Sequence, residues 1–289
     1  MIMKIINKYN QGKPVLSFEI FPPKKDDDMD ALTPMLAALA AQKPDFVSVT
    51  CGAGGTGGRN KTVAVAQMLK QDHGVEPMAH LTCITSNREE IEKSLTETEQ
   101  AGIDNILALR GDIPQGFDTA DTQYRYAKDL IADIKAQSEL CVAAAAYPEG
   151  HIDCEDEIRN IEYLKEKQIA GAEFFVTQLF FDNEYFFRFR DEAVKAGITA
   201  PISAGVMPMM SKAQISRMIF LCGASLPSKM IKLLNKYEND ADGLLKAGME
   251  YAGDQVEGLI RAGADGVHMY SMNKPQIAQY CMSRAREAL

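Results

Sequence analysis

Glu19 is the residue best suited to proton chemistry. It stands between Phe18 and Ile20 in the apolar stretch VLSFEIF and is followed by Phe21-Pro22-Pro23. A carboxyl there is expected to be partly desolvated, with a raised pKa that would suit a general acid near neutral pH. The plain alternative is a buried Glu neutralised by a Lys or Arg. Leu109-Arg110-Gly111-Asp112 joins a forked cation, a Gly and a carboxylate. The Arg could clamp a phosphate and the Asp a positive or hydrogen-bond-donating group, although a salt-bridged loop would read the same way. Tyr147-Pro148-Glu149-Gly150-His151 offers an aromatic face and an imidazole, suited to a planar heterocycle and a phosphate, or a plain turn. Cysteines at 51, 83, 141, 154, 222 and 281 show no Cys-x-x-Cys spacing and no close pairing with His. Neither a zinc site nor a disulfide framework is expected, and reduced, mostly buried thiols are.

A literal G-x-G-x-x-G occurs at Gly52, Gly54 and Gly57 within SVTCGAGGTGG, with Asp72 at about the distance of a ribose-binding acid. The elements around it argue against a dinucleotide fold. Short apolar runs at 15–20, 46–50, 78–81, 105–109, 141–145, 174–179, 202–206 and 266–269 read as strands. Helical spacing fills 30–42, 61–71, 88–100, 122–137, 155–169, 183–196 and 212–221, and a longer helical insertion at about 225–262 precedes the last strand. The first seven strands recur roughly every thirty residues. Eight β-α units predict an α/β fold, a closed (β/α)8 TIM barrel, with extra helices before the eighth strand and at the C-terminus. No linker or composition shift divides the chain, so residues 1–289 are expected to form one domain.

Strand alternation turns residues two apart to one face, and outer helices require that face to be apolar. Leu16, Phe18 and Ile20 then face the helices, as do Val47 and Val49. Ser17, Glu19, Ser48, Thr50, His80 and Gln178 turn inward. Barrel enzymes carry their chemistry at the C-terminal ends of the strands, where these polar groups converge. The Gly-rich stretch follows the second strand, so it is read as a barrel-top loop whose glycines let backbone approach a ligand. Other patches take bland readings: Tyr185, Phe186, Phe187 and Phe189 as packing, Asp26-Asp27-Asp28 and His73 as helix-end charge.

With 46% hydrophobic and 25% charged residues over 289 positions, the composition is that of an ordinary globular protein. A net charge of -9 without a basic stripe argues against nucleic acid or an anionic membrane as main partner. The start MIMKIINKYN has no signal-like apolar core, and no run approaches the length of a membrane helix, so a cytoplasmic location is expected.

Taken together, LSFEIFPPK, DFVSVTCGAGG, HLTC, NILALRGD, AAYPEGH, KQIAGAEFFVTQLFFD, FFRF, GVMP and HMYSMNK resemble the methylenetetrahydrofolate reductase family over nearly the whole chain. The resemblance implies FAD at the barrel mouth and hydride transfer from reduced FAD to 5,10-methylenetetrahydrofolate, giving 5-methyltetrahydrofolate. It makes Glu19 the general acid that protonates N10 and Asp112 the carboxylate that holds the pterin and steadies the developing cation. Gln178, Gln214, Tyr270 and Lys274 match substrate contacts beside those two. FAD contacts carry over to Thr50, Cys51, Ala53, His80, Leu109, Arg110, Gly111, Asp112, Tyr126, Ala127, Ala145, Tyr147, His151, Asn160 and Lys167. Arg110, His151 and Lys167 would answer the pyrophosphate.

The sequence departs from the family pattern at Cys51, where an aromatic is frequent, at Asn160, where an Asp is common, at Glu166, which replaces a cation, and at Met218, where a Phe can stack on the reductant. The electron donor implied is therefore NAD(P)H or a partner protein, in a homo-oligomer or a hetero-oligomeric complex. The regulatory region of eukaryotic members has no counterpart in the sequence, so control by S-adenosylmethionine is not expected. Two rival readings are a flavin-free barrel lyase using Glu19 and His80, and a non-catalytic folate- or flavin-binding subunit.

Overall fold

The computed structural model describes residues 3–23, 29–51, 56–120, 122–154 and 156–289, with the side chains at 30, 31, 56–59 and 157 left aside. Eight parallel strands close a barrel in chain order. They are β1 (Val15–Ile20), β2 (Phe46–Val49), β3 (Pro77–Thr82), β4 (Asn105–Leu109), β5 (Cys141–Ala146), β6 (Phe174–Thr177), β7 (Ile202–Val206) and β8 (Gly266–Tyr270). β8 closes on β1, with Val15 opposite Gly266 and Glu19 opposite Tyr270. The helices are α1 (Ile6–Tyr9), α2 (Met29–Ala40), α3 (Thr56–His73), α4 (Arg88–Gln100), α5 (Ala127–Gln137), α6 (Glu157–Ala170), α7 (Asn183–Lys195), α8 (Lys212–Cys222), α9 (Ser228–Lys236), α10 (Ala241–Arg261) and α11 (Pro275–Ala288). The C-terminal helix expected from the sequence is α11, which completes the eighth unit.

The period-two reading of the strands holds. Leu16, Phe18, Ile20, Val47 and Val49 pack outward with the helix residues Leu36, Leu39, Val65 and Leu69. Burying one such side chain contributes roughly 1.5–3 kcal/mol, which fixes which face of each strand turns in. Val15, Phe46, Met78, Leu107 and Phe174 form a separate apolar cluster in the lower lumen. The expected aromatic packing on α7 is present: Phe186 and Phe189 are buried, and Phe186 stacks on Phe180 at 5.7 Å.

Short α1 was not evident from periodicity, because four residues make barely one turn. It closes the N-terminal end of the barrel. The Ile5 N–H donates to Asn105 Oδ1 at 2.7 Å, the Tyr9 ring lies 5.2 Å from that of Phe174, and the Tyr9 hydroxyl is 2.8 Å from Ser203 Oγ.

Among the element ends that differ from the sequence reading, three have a visible cause. α3 begins at Thr56 instead of 61, so 56–58 of the Gly-rich stretch are helical. Glycine disfavours helix, but Val65, Ala66 and Leu69 anchor the same helix in the core. α5 begins at Ala127 instead of 122, because the Asp129 carboxylate accepts from the N–H groups of Arg125 and Tyr126 at 3.1 and 2.9 Å. β6 stops at Thr177 instead of 179, since the Leu179 N–H turns to the Gln178 side-chain oxygen at 2.9 Å.

The insertion before β8 consists of α9 and α10. Long α10 packs on β7, β8, α7 and α11, taking the place in the outer ring that a helix directly after β7 would fill. α8 and α9 join a separate apolar cluster in which Ile215 and Met230 meet Leu179, Phe181, Met207 and Met209 beyond the ends of β6 and β7. Among the described residues, no helix is long and apolar enough to cross a membrane.

Candidate active site

Glu19 ends the inward row of β1, and its neighbours come from β2, β3 and β8. The Ser48 hydroxyl donates to Glu19 Oε2 at 3.4 Å. His80 Nε2 and His268 Nε2 each lie 3.6 Å from the same oxygen, and the Glu19 side chain is 19% exposed. The raised pKa expected for Glu19 is corrected here. Burial pushes it up, but hydrogen bonding to His268 and Ser48 and the field of the two imidazoles outweigh burial and hold the carboxyl below its ordinary value. Among the described residues no Lys or Arg neutralises it; the partners are histidines. Burial drives His80 the opposite way, to about 4, so its ring is neutral at pH 7. The buried His80 Nε2 has no hydrogen-bond partner among the described residues, which leaves a polar atom for a ligand to satisfy.

A cavity of about 380 Å³ opens between the ends of β4 and β5 and helices α5 and α6. It brings together Leu109, Arg110, Tyr126, Ala127, Ala145, Tyr147, His151, Asn160 and Lys167. The three basic residues crowd one another. Burial first, then the Arg110 charge, lowers Lys167 to about 8, and the same two causes lower His151. Lys167 Nζ donates to the Ala145 carbonyl at 2.8 Å and stands 5.3 Å from the Tyr147 ring centre. Such a cluster gains from a bound anion, because the anion restores the charge that burial opposes. Asp153 supplies part of that at present: Arg110 Nη2 donates to its carboxylate at 2.9 Å. Tyr126 is 48% exposed, with Arg125 and Lys128 standing 5.7 and 5.8 Å from its ring centre. Asn160 donates to the Tyr147 carbonyl at 2.9 Å, while Glu166 is engaged by Lys128 at 2.8 Å. Cations, the half-exposed Tyr126 ring and the unsatisfied His80 nitrogen fit a flavin dinucleotide.

A second cavity of about 300 Å³ shares Arg110, Tyr147 and His151 with the first and adds Asp112, Gln178, Leu221 and Cys222. Gly111 has φ of 86°, a conformation that suits glycine, and it turns the chain between Arg110 and Asp112. Tyr270 donates to the Thr177 carbonyl at 2.8 Å, and burial raises its pKa. Its ring is pressed against Gly205, where an added Cβ would meet Tyr270 Cε2 at 2.9 Å and the Thr177 carbonyl. Thr50 and Cys51 follow β2, with the Thr50 carbonyl accepting from Thr62 at 2.9 Å. Ala53 and Asp26-Asp27-Asp28 lie outside the described residues. Gln214 is turned to its own helix start, bonding the Met210 N–H at 2.7 Å and the Pro208 carbonyl at 3.3 Å. Lys274 begins α11, its N–H bonded to the Ser271 carbonyl at 2.9 Å, and it lines neither cavity.

Comparison with known proteins gives the chain its relatives. The family model described as methylenetetrahydrofolate reductase matches residues 4–286. The chain belongs to the methylenetetrahydrofolate reductase family. The 5,10-methylenetetrahydrofolate reductases of Salmonella typhimurium and Escherichia coli are 35% and 34% identical over 268 residues, 93% of this chain and 89% of theirs. The probable methylenetetrahydrofolate reductase (NADH) of Oryza sativa is 32% identical, with 96% of this chain matching 49% of its length. An uncharacterized Clostridium thermocellum protein, described as binding two copies of 5-methyl-5,6,7,8-tetrahydrofolic acid, shares the fold with a TM-score of 0.67 over 98% of each chain at 15% identity.

Two residues of this reductase-family site escaped the sequence reading. Asp153 follows the YPEGH motif by two positions, and its pairing with Arg110 was the available signal. His268 opens the motif HMYSMNK, but only strand alternation in β8 could have turned it inward beside Glu19.

Proposed function

We propose that this chain reduces 5,10-methylenetetrahydrofolate to 5-methyltetrahydrofolate at the C-terminal mouth of the barrel, with FAD as resident cofactor. The observation that carries the reading is the sharing of Arg110, Tyr147 and His151 by two cavities, so that a cofactor held in one meets a substrate held against Asp112 and Gln178 in the other. Bound FAD would supply the hydride. Arg110, His151 and Lys167 would hold its pyrophosphate, Tyr126 would offer a ring face, and His80 Nε2 would gain the hydrogen bond it lacks.

Glu19 serves as general acid. Its proton passes to N10 of the folate as the bond from the one-carbon unit to N10 breaks, leaving a cationic iminium at N5 that accepts the hydride. Asp112 steadies that cation through its carboxylate. In the open barrel Glu19 is ionised at pH 7, so it must take up a proton before each turnover. A substrate ring seated over the mouth removes its remaining contact with water, which drives its pKa upward. NAD(P)H or a partner protein would reduce the bound FAD.

Anaerobic absorbance spectroscopy tests this. Protein reconstituted with FAD should bleach with a competent donor or dithionite and regain its colour on adding 5,10-methylenetetrahydrofolate. Bleached flavin that the folate leaves untouched would remove the proposal, and colourless protein with a metal-dependent lyase activity would replace it.

A further inference from the structure

His268 is fully buried and bridges three side chains. Its Nδ1 is 2.7 Å from Ser17 Oγ, and its Nε2 is 3.2 Å from Ser48 Oγ and 3.6 Å from Glu19 Oε2. Its ring stacks on Phe46 at 5.7 Å and 19° and meets the Tyr270 ring edge-on at 5.6 Å, so neighbours on both sides fix its plane. Among the described residues, the groups facing Glu19 are Ser48 from β2, His80 from β3, and His268 and Tyr270 from β8. His80 lacks a hydrogen bond at Nε2, so among the two imidazoles only His268 is held on both ring nitrogens.

We infer that His268, clasped between Ser17 and Ser48, is the positioning residue that lets Glu19 yield and regain a proton without stranding a buried polar atom. This rests on the proposed role of Glu19 as proton donor. A hydroxyl can donate or accept, so the Ser17–His268 contact is satisfied by either ring tautomer. With Glu19 ionised, His268 Nε2–H points to the carboxylate while Nδ1 accepts from the Ser17 hydroxyl. With Glu19 protonated, Nε2 accepts, Nδ1–H donates to Ser17 Oγ, and the Ser17 hydroxyl turns to the Val267 carbonyl, 3.5 Å away. The two arrangements differ by one proton on Glu19, the one delivered to N10, together with a change of ring tautomer that moves the imidazole proton between Nδ1 and Nε2, and each pairs both ring nitrogens. An unsatisfied group in so dry a place would penalise one of the states and slow the exchange.

The test uses His268→Asn and Ser17→Ala, the second removing one hydroxyl with little threat to folding. In flavin-free protein, carboxyl carbon NMR, assigned by difference from Glu19→Gln, follows the Glu19 titration. His268→Asn should move it upward by about one pH unit. In reconstituted protein, reoxidation of reduced flavin by 5,10-methylenetetrahydrofolate should slow about ten- to a hundredfold in His268→Asn. It should slow less in Ser17→Ala and recover in Ser17→Thr, while flavin reduction by dithionite keeps its rate. An unmoved Glu19 titration with an unchanged folate step, or equal loss of both half-reactions with a lowered Tm, would overturn the inference. The NMR readout needs no turnover, so a wild-type protein inert toward folate would count against the proposed reaction and leave the His268 result to be judged separately.

Discussion

A carboxyl proposed to hand over a proton in a water-poor pocket is governed by what stands within hydrogen-bond reach, and at Glu19 that is imidazole. Flanking Phe and Ile residues pointed to a raised pKa, because burial was the only influence visible along the strand. The opposing influence comes from His80 and His268 on other strands, at contacts that only the closed barrel creates. Replacing Glu19 by Gln should slow folate-dependent flavin reoxidation by about 10²- to 10⁴-fold while leaving flavin reduction intact, measured by stopped-flow absorbance. Equal loss in both steps would deny Glu19 its role. His80 makes a stability prediction. Its folded-state pKa of about 4 lies below the ordinary 6.5, so between these values the unfolded chain binds the proton more readily. Stability should fall as pH drops from about 6.5 to 4 by at most about 3 kcal/mol, and His80→Asn should flatten that limb of a urea-denaturation profile.

At the scale of elements, all eight strands were readable, and so were the inward faces of β1, β2, β3 and β6, because period-two alternation is imposed on each strand by the same outer helices. Ends were less readable, since single contacts such as Asp129 with the N–H groups of Arg125 and Tyr126 decide them. The four-residue α1 and the exchange of α8 for α10 in the ring leave no periodic trace that local sequence could reveal. Of the site, Arg110, Tyr147 and His151, read from short motifs, and Tyr126, Asn160 and Lys167, placed by resemblance, came together in one cavity, whereas Gln214 and Lys274, also placed by resemblance, are engaged locally. β7 supplies a test of how tightly these elements constrain each other. Gly205→Ala drives a methyl group into Tyr270 and the Thr177 carbonyl, and should cost about 1–3 kcal/mol in denaturant unfolding. An unchanged midpoint would mean that the Tyr270 ring has room to retreat.

At the scale of the whole molecule, binding of the proposed FAD should couple to stability and pH. FAD that binds the folded barrel and not the unfolded chain should add about 2.7 kcal/mol at a hundred times its Kd, visible as a rise in Tm. The Lys167 ammonium loses its proton through about pH 8 in the unloaded site. FAD affinity should therefore weaken as pH rises beyond that value, and Lys167→Met should abolish this dependence in fluorescence titrations. Affinity constant from pH 7 to 9.5 would remove Lys167 from the anion site.

Because α10 closes the ring, α8 and α9 bear no barrel duty and rest on the doorway as a separate awning. Descendants of one ancestor can then remodel that awning, and with it the choice of guest, while the vault beneath stays standing.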